Sequence, residues 1–595
     1  MISIIFNLLR LLQLFTLVQA DVSQQPIRFT SDHDQIYNIA IIGAGAAGSS
    51  TAYYLSKFAN ESPSSLKLNI TVFEQNGYIG GRTTTVNALD DPRYPVELGA
   101  SIFVKLNQIL YNATRDFGLP TADKICEPTG AKYDLGIWDG EEFVFTTASD
   151  DDSVGGWKGR WNGWLDIAKL LWKYGLAPVR FQRLQKSVIG RFLTMYEEPI
   201  FPFDLTQGAE KADLLGVTGQ TGGELLDGAS ISEQFQREIV QASTRVNYAQ
   251  NLNQIHGLET LVSMSAEGAM AVQGGNWQIF QHMLERWGAT VKLNTTVVDV
   301  TVLGTGRVDV YAVSTDEQET TTPATFDTVI IAAPSFNNKV GIEPKTTVAS
   351  YNTTEYVPLH VTLFTSPYRP SLAYFTSGRS QSDSDVPDSV LTTLPDFLAP
   401  GDLERGEESV GSTGFWSLST LRTLSPSTDG FDVPIYLKEG HIPAGNLALK
   451  GKQYLYKIFS PAPLDAADLV TILGLEHKHP FAADPTFDMR KYVGASINTL
   501  PKEAVSWSYE KLWYSYPYLP PKTEFGCFDL YHCRDAPVPN GVDKGRVWTT
   551  SVMEEFISTM ETSALAGKNV ARLLVEQLSQ EHQTRKKSIG KTTNH

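Results

Sequence analysis

The sequence predicts an α/β protein organised around a β–α–β nucleotide-binding unit. Three observations carry that reading. Gly43, Gly45 and Gly48 form G-x-G-x-x-G between a short apolar strand and a helix. A second apolar strand follows and ends in an acid, Glu74. Two further glycine-bearing stretches come next, G-G-R-T from Gly80 to Thr83 and E-L-G-A-S from Glu97 to Ser101.

Each element has a local reason. Asn38 to Ile42 reads as a buried strand through Ile39, Ile41 and Ile42. Gly43 permits a tight turn, Gly45 lets backbone approach a pyrophosphate, and Gly48 lets helix and strand pack closely. A helix is predicted from Ser49 onward, with Ala52 and Leu55 on one face. Its N-terminus, with Ala46 and Ala47 in the cradle, offers unpaired N–H groups to an anion. Leu66 to Phe73 is the second strand, which places Glu74 where a ribose hydroxyl is read. Gly81 permits a loop to close on the nucleotide, and Arg82 supplies a cation for its phosphates. Gly99, Ala100 and Ser101 leave room for a flat ring, with Glu97 as a second carboxylate beside them.

A chain of 595 residues implies two or three domains. Its net charge of −17 argues against nucleic acid as a partner. Met1 to Ala20 reads as a signal peptide, so secretory entry is expected, with a retained anchor as the alternative. Sequons begin at Asn60, Asn69, Asn112, Asn294 and Asn352. Cys527 and Cys533 are spaced for a local bridge that leaves Cys126 free, though three free thiols fit equally.

Further along, Trp157 to Lys186 reads as an amphipathic helix with seven Lys/Arg and one Asp, suited to peripheral contact with a membrane or to packing on the core. Helices continue to about Tyr248. Strands are expected in Ala289–Leu303, Thr328–Ala332, Ile435–Ile458, Val493–Ile497 and Arg546–Thr550. Arg379 to Glu408, with eight Asp/Glu against two Arg, reads as a surface insertion. Met560 to Gln577 reads as an amphipathic helix and 579–595 as a disordered basic tail. No residue set completes a metal site; His477 and His479 lack partners of the right kind.

These motifs resemble the signatures of the flavin amine oxidase superfamily, and within it the prenylcysteine oxidase (prenylcysteine lyase) family. The family likeness rests on WKYG at Trp172–Gly175, RVNYAQ at Arg245–Gln250, AVQGGN at Ala271–Asn276 and STMETSA at Ser558–Ala564. It implies a Rossmann-like FAD-binding domain interleaved with an α+β substrate domain, amine-oxidase-like in architecture. The expected division is 37–150, 271–335 and 541–578 for FAD, and 151–270 and 336–540 for substrate. The resemblance places Val297 at the adenine and Met560 and Glu561 beside the flavin and ribityl chain. It implies oxidation of S-farnesyl- or S-geranylgeranyl-cysteine by O2 and water to cysteine, a prenyl aldehyde and hydrogen peroxide. It also implies a vacuolar, lysosomal or secreted destination.

Two departures from the superfamily matter. No lysine occurs from Thr346 through Leu437, where the amine oxidases place one near flavin N5. His360 stands in that region and is the candidate base for water, with a structural place beside the strand as the alternative; Tyr248 and Asn247 are candidates to position substrate or flavin, with capping of a helix end as the alternative. No cysteine occurs from Trp548 to Glu561, so FAD is expected to be noncovalent. A secreted amine or polyamine oxidase and a non-catalytic prenyl-lipid carrier are the competing readings. Oligomeric state is not legible.

Overall fold

The computed structural model describes residues 35–64, 66–122, 129–148, 170–315, 323–334, 340–344, 354–376, 382–395, 403–424, 451–531 and 546–592. The signal-peptide reading of Met1–Ala20 falls outside these residues. So do the sequon at Asn352 and the cysteines Cys126 and Cys533, although Cys527 is engaged in a disulfide.

Strand β1 (Ile36–Ile42), helix α1 (Ala46–Glu61) and strand β2 (Lys67–Phe73) form the expected unit. The helix starts three residues earlier than the sequence suggests. Gly45 is its N-cap, so Gly48 lies inside the first turn. β1 and β2 pair in parallel within a five-stranded sheet completed by Thr290–Lys292, Thr328–Ile331 and Val547–Thr549. All its pairings are parallel, so both faces must be covered. Ile39 and Ile41 face a helical core, while Ala40 and Ile42 face a four-stranded sheet that includes Thr295–Val302.

Five further helices matter for the site: α2 (Gln108–Asp116), α3 (Ala177–Leu193), α4 (Gln241–Tyr248), α5 (Gly257–Ser263) and α6 (Met560–Thr592). α6 lies against α1. A Cβ on Gly567 would stand 2.4 Å from the Ala47 carbonyl oxygen, and the Ser50 hydroxyl donates to the Ala564 carbonyl at 2.7 Å. The C-terminal end of the chain is thereby locked onto the helix that follows the first glycine loop.

A seven-stranded sheet forms the second body of structure. Its first three strands are Trp507–Pro517, then β3 (Tyr356–Ser366), then β4 (Gln453–Ser460), all antiparallel. One face carries Leu359, Val361, Leu363 and Leu455 in a cluster with Leu98 and Tyr248. The other carries Phe364, Tyr456 and Ile458 under the helix Ala466–Leu473.

Four expectations need correction. The acidic segment near 379–408 is not wholly an insertion: Ser389–Thr392 is a strand of the seven-stranded sheet, with Val390 and Thr392 buried. Its short apolar alternation is masked by acidic neighbours. The basic tail is helical through Thr592, supported by i,i+4 bonds such as Gln577 to Glu581 at 2.9 Å. Val493–Ile497 is not a strand. Trp157–Lys186 is not one helix over its described part, because Gly175 adopts φ +58 and separates 170–174 from α3.

Replacing Gly567 by Val is expected to lower stability by about 1–3 kcal/mol through overpacking against α1. Thermal unfolding of the purified protein checks this, and an unchanged melting temperature would show that the two helices separate freely.

Candidate active site

The first glycine loop is shaped by contact distances. Gly43 adopts φ +107, and a Cβ there would meet the Ala332 carbonyl oxygen at 2.9 Å. A Cβ on Gly48 would lie 1.9 Å from the Gly43 carbonyl oxygen, which excludes every side chain. Gly45 differs: its Cβ would find only Gly80 O and Gly81 Cα, both at 3.8 Å. Protein packing therefore leaves space at Gly45. Gly43, Gly45, Ala46 and Ala47 are each partly accessible, and no side chain caps the N-terminus of α1. This is a cradle open to an anionic ligand.

The neighbouring loop closes against it. The Gly80 N–H donates to the Ala44 carbonyl at 2.9 Å, and Gly81 lies beside Gly45. Glu74 Oε2 accepts from the Ala44 N–H at 2.9 Å, while Oε1 accepts from the backbone and side-chain nitrogens of Asn76. Glu74 thus stands at the end of β2 as expected, with its carboxylate holding the loop.

Several other expected cofactor contacts are engaged elsewhere. Arg82 does not wait for a phosphate: its guanidinium forks onto Glu554, at 2.9 and 2.5 Å, and donates to the Ser515 carbonyl at 2.7 Å. A planar carboxylate satisfies that fork as a phosphate would. Tyr356 adds a hydrogen bond to Glu554 at 2.9 Å. Glu561 accepts from the Ile109 and Leu110 N–H groups at 2.9 and 3.0 Å, so it caps α2. Met560 is buried in the helical core, and Val297 is buried in the strand Thr295–Val302. Gly99 is required by packing, since its Cβ would meet the Arg82 carbonyl oxygen at 2.4 Å. Ala100 accepts from Asn276 Nδ2 at 3.2 Å, and the Ser101 hydroxyl donates to the Gly99 carbonyl at 2.9 Å.

A residue missed in the sequence meets this loop. Lys457 on β4 is buried, and its Nζ donates to the Glu97 carbonyl at 2.8 Å and to Ser101 Oγ at 3.2 Å. The Glu97 carboxyl accepts from the Asn276 N–H at 2.6 Å through Oε1, while Oε2 is buried without a partner. Burial pushes the Glu97 pKa up to about 7. The signal for Lys457 was a lone lysine in Tyr-Leu-Tyr-Lys-Ile-Phe, at a position where alternation points it to one face.

The two expected catalytic residues do not share a face. Leu359 and Val361 belong to the cluster that contains Tyr248, and His360 stands between them on β3. The pleat therefore turns His360 to the opposite side, among Ser460 and Leu512 as cross-strand neighbours. Partial burial lowers its pKa. Sequence position near the strand was right, but a one-residue step decides the face. Tyr248 ends α4, stacks edge-on against Tyr516 at 5.4 Å, and lies beside Glu259 of α5. Glu259 is fully buried: one oxygen accepts from the Ser558 N–H at 3.1 Å and the other has no partner. Burial pushes its pKa up to about 8. His256 caps α5 through Nδ1, and burial holds its pKa down at about 4, so it is neutral at physiological pH. Asn247 donates to the Ser243 and Ser263 carbonyls and ties α4 to α5.

The residues present fit a dinucleotide: an open glycine cradle at an uncapped helix N-terminus, where a Cβ on Gly45 would meet nothing closer than 3.8 Å. Gly45→Val is expected to abolish flavin absorbance in the purified protein while leaving its circular dichroism intact, because only the ligand side of Gly45 is filled. Normal flavin content in that variant would place the cofactor elsewhere.

The buried acids also set a pH dependence. A carboxyl whose folded pKa lies above its unfolded value contributes stability fully present below the unfolded value and lost as pH rises through the folded one. For Glu97 and Glu561, raised from 4.5 to about 7, and Glu259, raised to about 8, that window runs from about pH 4.5 to 8. The melting temperature is expected to fall across it, and Glu259→Gln to flatten the upper part. A melting temperature that rises from pH 5 to 8 would contradict ionisation of these buried groups.

Comparison with known proteins gives this arrangement its relatives. Residues 41–117 match an NAD(P)-binding Rossmann-like domain, and residues 158–587 match the family described as prenylcysteine lyase. The chain is 26% identical over 559 residues to farnesylcysteine lyase of Arabidopsis thaliana, covering 91% of this chain and 89% of that protein. It is 30% identical over 259 residues to prenylcysteine oxidase 1 of Bos taurus, covering 42% of this chain and 45% of that protein. Among solved structures it resembles a putrescine oxidase variant at 13% identity and TM-score 0.49, covering 91% of this chain and 99% of that one. It also resembles the cyclohexylamine oxidase of Brevibacterium oxydans at 15% identity and TM-score 0.46, with the same coverage. With a match that runs from Lys158 to Lys587 behind an intact nucleotide cradle, the chain belongs to the prenylcysteine lyase family.

Proposed function

We infer that this protein is a flavin-dependent oxidase that cleaves the thioether of prenylcysteine, with FAD held noncovalently and O2 as electron acceptor. The observation that carries this reading is the union, in one chain, of the Gly43–Gly48 cradle with the family match over residues 158–587. The products are cysteine, a prenyl aldehyde and hydrogen peroxide. Secretory routing is supported by the Met1–Ala20 segment and by the sequons at Asn60 and Asn112, which fall on described helices.

When bound, FAD supplies the two-electron oxidation of the prenyl carbon attached to sulfur. The chain supplies the setting. Gly43, Gly45, Ala46 and Ala47 receive the pyrophosphate at the N-terminus of α1, and Glu74 orients that loop through Ala44. Arg82 and Glu554 fix the second loop over the cradle. Lys457 holds Glu97 and Ser101 and places a cation beside the E-L-G-A-S loop. Tyr248, Tyr516 and Trp513 give an apolar cluster next to that loop, and Tyr248 with Glu259 is the group able to hold or move a proton there. His360, on the other face, takes no part.

Lys457 also favours a second reading. β3 itself carries no lysine, but Lys457 reaches the E-L-G-A-S loop from the adjacent β4. Substrate decides. Incubation with farnesylcysteine is expected to yield peroxide and aldehyde without ammonia, and acid precipitation to release yellow FAD. Lys457→Met is expected to cut turnover by roughly tenfold or more, as loss of a buried charged hydrogen-bond donor does, whereas His360→Ala stays near wild type. Ammonia from simple amines with farnesylcysteine untouched would transfer the assignment to amine oxidation.

A further inference from the structure

Twelve large apolar side chains are exposed among the described residues, and four of them, Leu171, Trp172, Leu176 and Val179, fall within nine residues. Trp172 is 90% exposed and Leu176 62%. Exposure of a tryptophan to this extent is unusual in a folded protein, and exposed apolar side chains gathered in one short stretch point to an interaction surface.

The charge around the patch names its occupant. α3 buries Ala177, Phe181, Val188 and Phe192 on one stripe. Its opposite stripe presents Val179, Arg180, Arg183 and Lys186, all exposed. The helix contains no Asp or Glu, in a chain of net charge −17. Arg191 is taken by Asp213, but Arg183 and Lys186 have no ion pair among the described residues. Arg180 donates to the Ser230 carbonyl at 2.6 Å on the wall of a groove of about 400 Å3 that Leu176 and Ser232 also line. An apolar rim containing tryptophan, backed by unpaired cations and an Arg-lined recess, is complementary to the headgroup layer of an anionic bilayer. Lys173 is not part of it, because its Nζ is held by Glu238 at 2.6 Å and by the Val144 carbonyl. No described helix is long and apolar enough to cross a membrane.

We propose that the Leu171–Lys186 face docks the protein on the surface of an anionic lipid bilayer, with Trp172, Leu176 and Val179 in the headgroup layer and Arg180, Arg183 and Lys186 facing the lipid phosphates. The proposal does not depend on the substrate, so either can fail alone.

The test is flotation of the purified holoprotein with phosphatidylcholine vesicles, with and without phosphatidylserine. Wild type is expected to float with the anionic vesicles at low salt, and less at physiological salt. Arg183→Glu with Lys186→Glu is expected to reduce partitioning by roughly tenfold or more, and Trp172→Ala to reduce it at every salt concentration. Lys502→Glu, an exposed cation outside the face, is the control and keeps wild-type flotation. Flavin absorbance and circular dichroism establish that each variant is folded. Wild type that stays at the bottom of the low-salt gradient overturns the proposal, as does equal flotation of the charge-reversed variant. Concentration-dependent dimerisation in sedimentation that Trp172→Ala abolishes, with no flotation, would assign the face to a second copy of the chain.

Discussion

The two ends of the chain meet at the site through a partly buried ion pair, a capped helix and a close helix contact. Arg82, in the loop that closes the nucleotide cradle, forks onto Glu554, more than four hundred residues later. A few residues beyond, α6 runs so close to α1 that only glycine fits at Gly567. A partly desolvated pair of this kind costs much to break from one side, because the remaining charge is left without a partner. It is weak evidence for net stability, but it fixes geometry. The loop carrying Arg82 has one seat, and that seat is beside the open face of Gly45.

What was legible in the sequence were the features set by local sterics. The β1–α1–β2 unit is written in three glycines and two runs of β-branched residues. Gly48 and Gly99 are demanded by backbone oxygens, while at Gly45 the protein's own packing leaves space. The partners of charged residues were not legible. Arg82, Glu561 and Lys173 all looked available and are all committed to groups distant in sequence. Nor was the face of His360, since an alternating strand tells which residues share a side but not which side meets the cofactor loop.

Lys457 reaches the E-L-G-A-S loop from β4, while β3 carries no lysine. The antiparallel pairing of β3 with β4 sets Lys457 opposite Leu363, on the same face as Val361, and from that face its ammonium reaches Ser101. Glu259 is the other residue that sequence alone hid. It sits in an ordinary amphipathic helix, and only the fold reveals that one of its oxygens is buried without a partner beside Tyr248 and the entry to α6. Burial raises its pKa to about 8.

The proposed chemistry requires that electrons leave the prenyl carbon next to sulfur for a flavin held at the Gly45 cradle. It is tested most directly by anaerobic titration of the purified yellow protein with farnesylcysteine while the flavin absorbance is followed. The account predicts bleaching that is complete at one equivalent of substrate and is matched by one equivalent of released aldehyde. Flavin that stays oxidised under farnesylcysteine, yet bleaches with a simple amine, would contradict it.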